Sequence, residues 1–154
     1  MQSDATAPDE TAAAGEPMHL SLPPAERLEI HDMAALYGIL IDDRDFAGLS
    51  RVFTDDAVFV IRPSRGRDEV RLNGLDAIRN FMDGANHPLA HHVTNVVAVA
   101  DGPDNATMRS KVIATLPKAR AGSADYRDRL RRTPQGWRIA ERVVTFRTGD
   151  PPPP

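Results

Sequence analysis

The chain has 154 residues, of which 41% are apolar and 27% charged, and it contains no cysteine. That length and balance fit one globular domain with a core able to fold alone, and the missing thiols exclude disulfides, thiolate nucleophiles and zinc–cysteine sites. No apolar run is long enough to cross a membrane, and the first residues lack the basic patch and apolar stretch of a secretory signal, so a cytoplasmic protein without membrane partners is expected.

The net charge of −3 is unevenly spread. Residues 1–17 carry Asp4, Asp9, Glu10 and Glu16 and no Lys or Arg, contributing −4, so the remainder sums to +1. This segment is rich in Ala, Thr, Pro and Glu without an apolar period and reads as a disordered tail. The last residues, GDPPPP (149–154), can neither pair in a sheet nor continue a helix and read as a second tail. The domain is expected between them, over residues 18–148.

Pro23-Pro24 precede a helical stretch from Ala25 to about Ile41. Leu28, Ala35, Leu36 and Ile39 lie on one of its faces and Ile30, Ala34, Tyr37 and Ile41 on a neighbouring one, which predicts burial on more than one side. Asp42-Asp43-Arg44-Asp45 breaks the pattern, and Asp45 is a fair N-cap for a short second helix, Phe46 to Phe53. Ala57–Ile61 reads as a strand and Pro63–Leu72 as a charged loop. A third helix runs from Leu75 to about Asp83, closed by Gly84.

From Leu89 onward the pattern is one of strands: Ala90–Ala100, Ala106–Leu116, Ala124–Arg132 and Trp137–Arg147, separated by turn residues. Three helices followed by hairpin-connected strands specify an α+β domain. Residues of one parity on a strand share a face. His91 shares its parity with Val93, Asn95, Val97 and Val99, a more apolar set than the one containing His92, so His91 is the histidine expected to point inward; a bulge would reverse this. The same test turns Met108, Ser110, Val112, Ala114 and Leu116 inward on the next strand, then Ala124, Tyr126, Asp128 and Leu130. Arg127, Arg129 and Arg131 fall outside, and Trp137, Ile139 and Val143 share a parity on the last strand. The expected pocket has apolar walls, including Phe59, Met108, Val112 and Trp137, and a few polar groups, among them Asn95, Tyr126 and Asp128. Asp128 has a second reading, an ion pair with an arginine on the neighbouring strand.

Helix 1 ending in LIDDRDF, then LSRVFTDDAVF, then H-x-x-x-N from His91 to Asn95, then DYRDRLRRTPQGWRI, resembles the SnoaL-like branch of the nuclear transport factor two-like superfamily. The resemblance spans roughly Glu26 to Arg147. It implies a cone: a curled, mostly antiparallel sheet closed by three N-terminal helices around a deep pocket. The branch includes scytalone dehydratase, bile acid dehydratase and a dehydrochlorinase. Its catalytic members place an aspartate at the end of helix 1 and a histidine on the strand after helix 3, which correspond here to Asp42 and His91, and some use a tyrosine near the end of helix 1, here Tyr37. Asp43 and Asp45 remain alternatives to Asp42. The second pocket histidine of scytalone dehydratase has no counterpart in Ala106–Leu116, and Ile41 replaces a tyrosine beside its aspartate, so that substrate is not carried over. The Asp-Arg-Asp set of the limonene epoxide hydrolase branch finds no arginine at an inward position.

A neutral imidazole beside a carboxylate can remove a proton next to a carbonyl. The implied function is therefore a cofactor-independent lyase or isomerase, of dehydratase, isomerase or cyclase type, acting on a small hydrophobic carbonyl-bearing molecule. His91 would be the base or acid and Asp42 its partner, with Tyr37, Asn95 and Tyr126 positioning the substrate. The alternative is a non-catalytic small-molecule-binding or assembly module of the same fold. A metal site is not expected, because His91 and His92 point to opposite faces and no third ligand has suitable spacing. The arginines of YRDRLRR lack aromatic interleaving, so a solvated sheet surface or subunit contact is expected rather than a nucleic-acid surface. Since sheet surfaces often dimerise in this superfamily, the resemblance implies a homodimer.

Overall fold

The computed structural model describes residues 22–147; both expected tails lie outside the described residues. Helix α1 spans Pro24–Asp42 with a proline in its first turn, where the absent N–H costs nothing. It buries Ile30, Met33, Ala34, Tyr37, Leu40 and Ile41, a single stripe at helical spacing. The neighbouring stripe is not covered: Leu28 is 63% and Ile39 56% exposed, so the expected two-sided burial is replaced by burial on one side. The DDRD stretch ends the helix. Arg44 takes the left-handed conformation (φ 57), its N–H donates to the Ile41 carbonyl and that of Asp45 to the Leu40 carbonyl. This is the Schellman arrangement, which closes off the orphan carbonyls of a helix end.

Two α-helices are present among the described residues rather than three. The segment expected as a helix from Phe46 to Phe53 is a five-residue 3-10 turn, Ala47–Arg51. Asp45 does serve its start, with Oδ1 accepting from the Gly48 N–H at 2.9 Å. The turn stops early because the next residues are drawn into the sheet: the Ile139 N–H donates to the Val52 carbonyl, and Phe53 opens strand β1, Phe53–Ile61. The expected charged loop contains a further strand, β2, Val70–Asn73, paired antiparallel with β1. Helix α2, Leu75–Gly84, buries Leu75, Ile78 and Met82 and packs on β1.

Strands β3 (Ala90–Ala100), β4 (Asn105–Leu116), β5 (Arg120–Thr133) and β6 (Gly136–Phe146) complete one six-stranded sheet in the order β2-β1-β6-β5-β4-β3. β1 and β6 run parallel, and the other neighbours are antiparallel. The curled sheet does not close, so β2 and β3 are edges. α1 crosses its inner face, packed mainly on β3 and also on β6.

Two bulges decide which side chains reach the interior. On β3 the register slips by one residue between Thr94 and Val97, with Asn95 at φ 52, a conformation asparagine tolerates better than most residues. Before the bulge His91 and Val93 face inward; after it Val96, Ala98 and Ala100 do, leaving Asn95, Val97 and Val99 exposed on the outside. The second half of the strand is thus inverted relative to unbroken alternation. On β6 a slip opposite Arg129/Leu130 has the same effect: Trp137 and Ile139 are buried, and then Arg142 and Val144 instead of Val143. β4 and β5 have no break and bury the expected alternate residues, Met108, Ser110 and Val112, then Ala124, Tyr126, Asp128 and Leu130.

Candidate active site

Asp42 is the last residue of α1, and the Schellman turn leaves it beside the start of β3. The close approach depends on Gly38, one turn earlier, where a Cβ would stand 2.8 Å from the His91 carbonyl oxygen. Because β3 is an edge strand, part of its backbone has no neighbouring strand to pair with. Asp42 supplies the acceptor: the His91 N–H donates to its Oδ1 at 3.1 Å and Oδ2 at 2.9 Å. The same carboxylate lies 2.7 Å from His91 Nδ1. An ionised carboxylate can only accept, so Nδ1 carries a proton, and in the neutral ring the lone pair is on Nε2. The side chains are 10% (His91) and 23% (Asp42) exposed, a half-open rather than sealed site. Asp43 and Asp45 are exposed, which leaves Asp42 as the aspartate of the pair. Gly38→Ala is expected to push α1 off β3, costing about 1–3 kcal/mol as overpacking does. The check is a urea melt, together with loss of the His91 Nδ1–H signal in the ¹⁵N spectrum.

A second cluster lies deeper. Arg142 donates from Nε and Nη2 to the two oxygens of Asp128, each at 2.8 Å, with both side chains fully buried. Its guanidinium carbon sits 4.2 Å from the ring centroids of both Tyr37 and Tyr126, and Tyr37 packs edge-on against Tyr126 and Phe53. Burial pushes both phenols up, opposed by the Arg142 charge, so they remain neutral donors. Burial likewise pushes the Asp128 carboxyl up against the pull of Arg142. Arg142 stays protonated, because the charge and hydrogen bonds of Asp128 outweigh its own desolvation. The two-point fork requires a carboxylate, and the pair is ionic.

The residues singled out from the sequence therefore separate. Asp42 and His91 come together. Tyr37, Tyr126 and Asp128 come together around Arg142, and Asp128 is the buried ion pair rather than an open substrate contact. An inward arginine thus exists where none was expected; the β6 bulge hid it. Asn95 is corrected outright: it lies on the outer face, its Oδ1 accepting from the Thr94 hydroxyl. Phe59, Met108, Val112 and Trp137 are all buried core residues. Trp137 is tied through its indole N–H to Glu26, at the other end of α1, about 24 Å along the axis from Asp42 at ~1.5 Å per residue. The expected deep pocket is also revised. The two best-formed depressions, about 250 Å³ beside Asn95, Arg109 and Arg127 and about 610 Å³ beside Asp55, Asp56 and Arg138, do not touch Asp42 or His91. Between α1 and the sheet, Tyr37 packs against Phe53 and Tyr126.

Sequence reasoning missed three residues at these sites. Gly38 gives no pattern signal, since its importance is a close approach between distant segments. Arg142 is masked by the bulge. His87, in the loop before β3, places its ring 6.4 Å from that of His91.

The SnoaL-like domain model matches residues 25–143. An uncharacterized protein of Mycobacterium tuberculosis strain H37Rv is 35% identical over 132 residues, covering 79% of this chain and 85% of its own. Among solved structures, a nuclear transport factor two-like protein with a cystatin-like fold from Novosphingobium aromaticivorans is similar at TM-score 0.67 and 27% identity, covering 82% of this chain and 84% of that one. A scytalone dehydratase-like protein from the same organism is similar at TM-score 0.66 and 21% identity, over 80% of this chain and 85% of that one, a likeness of fold alone. With the family model spanning most of the chain and the same fold recurring in these structures, the protein belongs to the SnoaL-like domain family of the nuclear transport factor two-like fold.

Proposed function

We propose that this chain is a lyase or isomerase working without a cofactor, in which His91 moves a proton at a carbon next to a carbonyl. One observation carries the reading: Asp42 holds both the amide and Nδ1 of His91, leaving Nε2 as an oriented base. A carboxylate in that position also stabilises the imidazolium once a proton is taken. The substrate class that suits the site is a small hydrophobic ketone or related carbonyl compound. The probe is β-tetralone in D₂O, whose α-protons exchange on enolisation. The wild type is expected to speed that exchange over buffer, as read by loss of the α-proton NMR signal. No acceleration would remove the reading.

A non-catalytic binding or assembly module is the second reading, favoured by depressions that lie away from Asp42 and His91. A homodimer accompanies either one. Val97, Val99 and Ile113 stay exposed on the outer face of β3 and β4, apolar area of the kind a sheet-to-sheet contact covers. Size-exclusion chromatography should give twice the 16.8 kDa chain mass; elution as a monomer would contradict the dimer.

A further inference from the structure

We infer that His87 is the acid that complements His91, acting on the oxygen of the same substrate. The inference rests on the proposed role of His91.

His87 belongs to the loop between α2 and β3. Its Nε2 lies 2.6 Å from the Met82 carbonyl, one of the last-turn carbonyls of α2. A carbonyl only accepts, so Nε2 carries a proton and Nδ1 is the nitrogen left over. His91 is fixed the opposite way, with its proton on Nδ1 towards Asp42. Two imidazoles of opposite tautomer thus stand 6.4 Å apart at 62°. Each is anchored through one nitrogen and has the other uncommitted among the described residues. The half-buried His87 ring also packs on Phe46 at 5.7 Å, which limits its swing. The charged groups around this corner include Asp42 on His91, Arg44 over the Phe46 ring, Asp83 paired with Arg44 and Arg79, which donates to the Phe46 carbonyl. The negative end of the α2 dipole lies at His87 itself.

This arrangement divides the labour of an enolisation or dehydration. His91 Nε2 takes the proton as the C–H bond breaks, and that electron pair becomes the new C=C bond. In an enolisation the carbonyl π pair moves to oxygen, which takes the Nδ1 proton of a protonated His87. In a dehydration the C–O bond breaks instead, and the departing oxygen leaves as water with that proton. One proton has then passed to His91 and one has left His87, and exchange with solvent restores both.

The test uses the full-length ¹⁵N-labelled chain. Imidazole ¹⁵N–¹H correlation spectra at neutral pH should show His91 protonated on Nδ1 and His87 on Nε2. In His87→Gln, whose amide can still donate to the Met82 carbonyl, β-tetralone exchange should fall at least about tenfold, the low side of acid–base contributions, while His91 keeps its Nδ1–H signal. A neutral His87 found with its single proton on Nδ1, and none on Nε2, overturns the inference. So does exchange that survives His87→Gln undiminished but is lost in His91→Gln, which leaves the role of His91 standing. No exchange by the wild type overturns the role of His91 and this inference with it.

Discussion

Asp128→Ala is expected to destabilise the protein by about 3–5 kcal/mol, the cost of stranding a buried charge whose partner has been removed. Arg142 has no exposed path by which to relax: both side chains are fully buried, and two tyrosine rings lie 4.2 Å from the guanidinium carbon. Against a usual total of about 5–15 kcal/mol, that is a loss near the limit of folding. Arg142→Met is expected to cost a similar amount, since it leaves the Asp128 carboxylate in the same dry surroundings. The double variant Asp128→Leu/Arg142→Met should recover most of the loss, because two apolar side chains of similar volume need no partner. Urea midpoints of the wild type, Asp128→Leu, Arg142→Met and the double variant measure the coupling directly. Single variants that each cost under about 1 kcal/mol, the range of exposed ion pairs, would mean that the pair is not desolvated as drawn.

The second large effect belongs to the proton-transfer site. Asp42→Asn and His91→Gln are each expected to reduce β-tetralone exchange by about 10²–10⁴-fold, the usual span for a positioned acid–base group. The two differ in what they leave behind. His91→Gln removes the base. Asp42→Asn keeps the shape, but an amide can offer a hydrogen to Nδ1 as well as accept one, so the tautomer is no longer imposed. The ¹⁵N spectrum of Asp42→Asn should therefore show His91 as a mixture of tautomers. If His91 keeps its Nδ1–H and the exchange rate holds, the carboxylate is a helix-end fitting and not part of a catalytic pair.

Those variants probe two clusters that stood in one expected pocket when only the sequence was read. Alternation was reliable where the strand was unbroken. Met108, Ser110 and Val112 on β4, and Tyr126, Asp128 and Leu130 on β5, face inward as their parity requires. It failed where an extra residue entered the ladder. One slip on β3 turned Asn95 outward, and one on β6 brought Arg142 in. Neither slip changes composition or periodicity enough to be seen along the chain, because a bulge is settled by how a strand fits its neighbour. The second helix failed for a related reason. Phe46 to Phe53 has the residues of a helix, but pairing with β6 claims Phe53 for the sheet and leaves five residues of 3-10 turn.

What the sequence by itself determined is the α+β class, the order of the main elements, the choice of His91 over His92 and the likeness to a SnoaL-like domain, since each follows from periodicity, turn residues or motif order along the chain. Only the tertiary structure decided that Asp42 and not its neighbours holds His91, that Gly38 permits the contact, that His87 stands beside it, and that Arg142 neutralises Asp128. Each of these is a meeting of residues far apart in sequence, and its geometry depends on where a helix ends and on where a strand gains one residue.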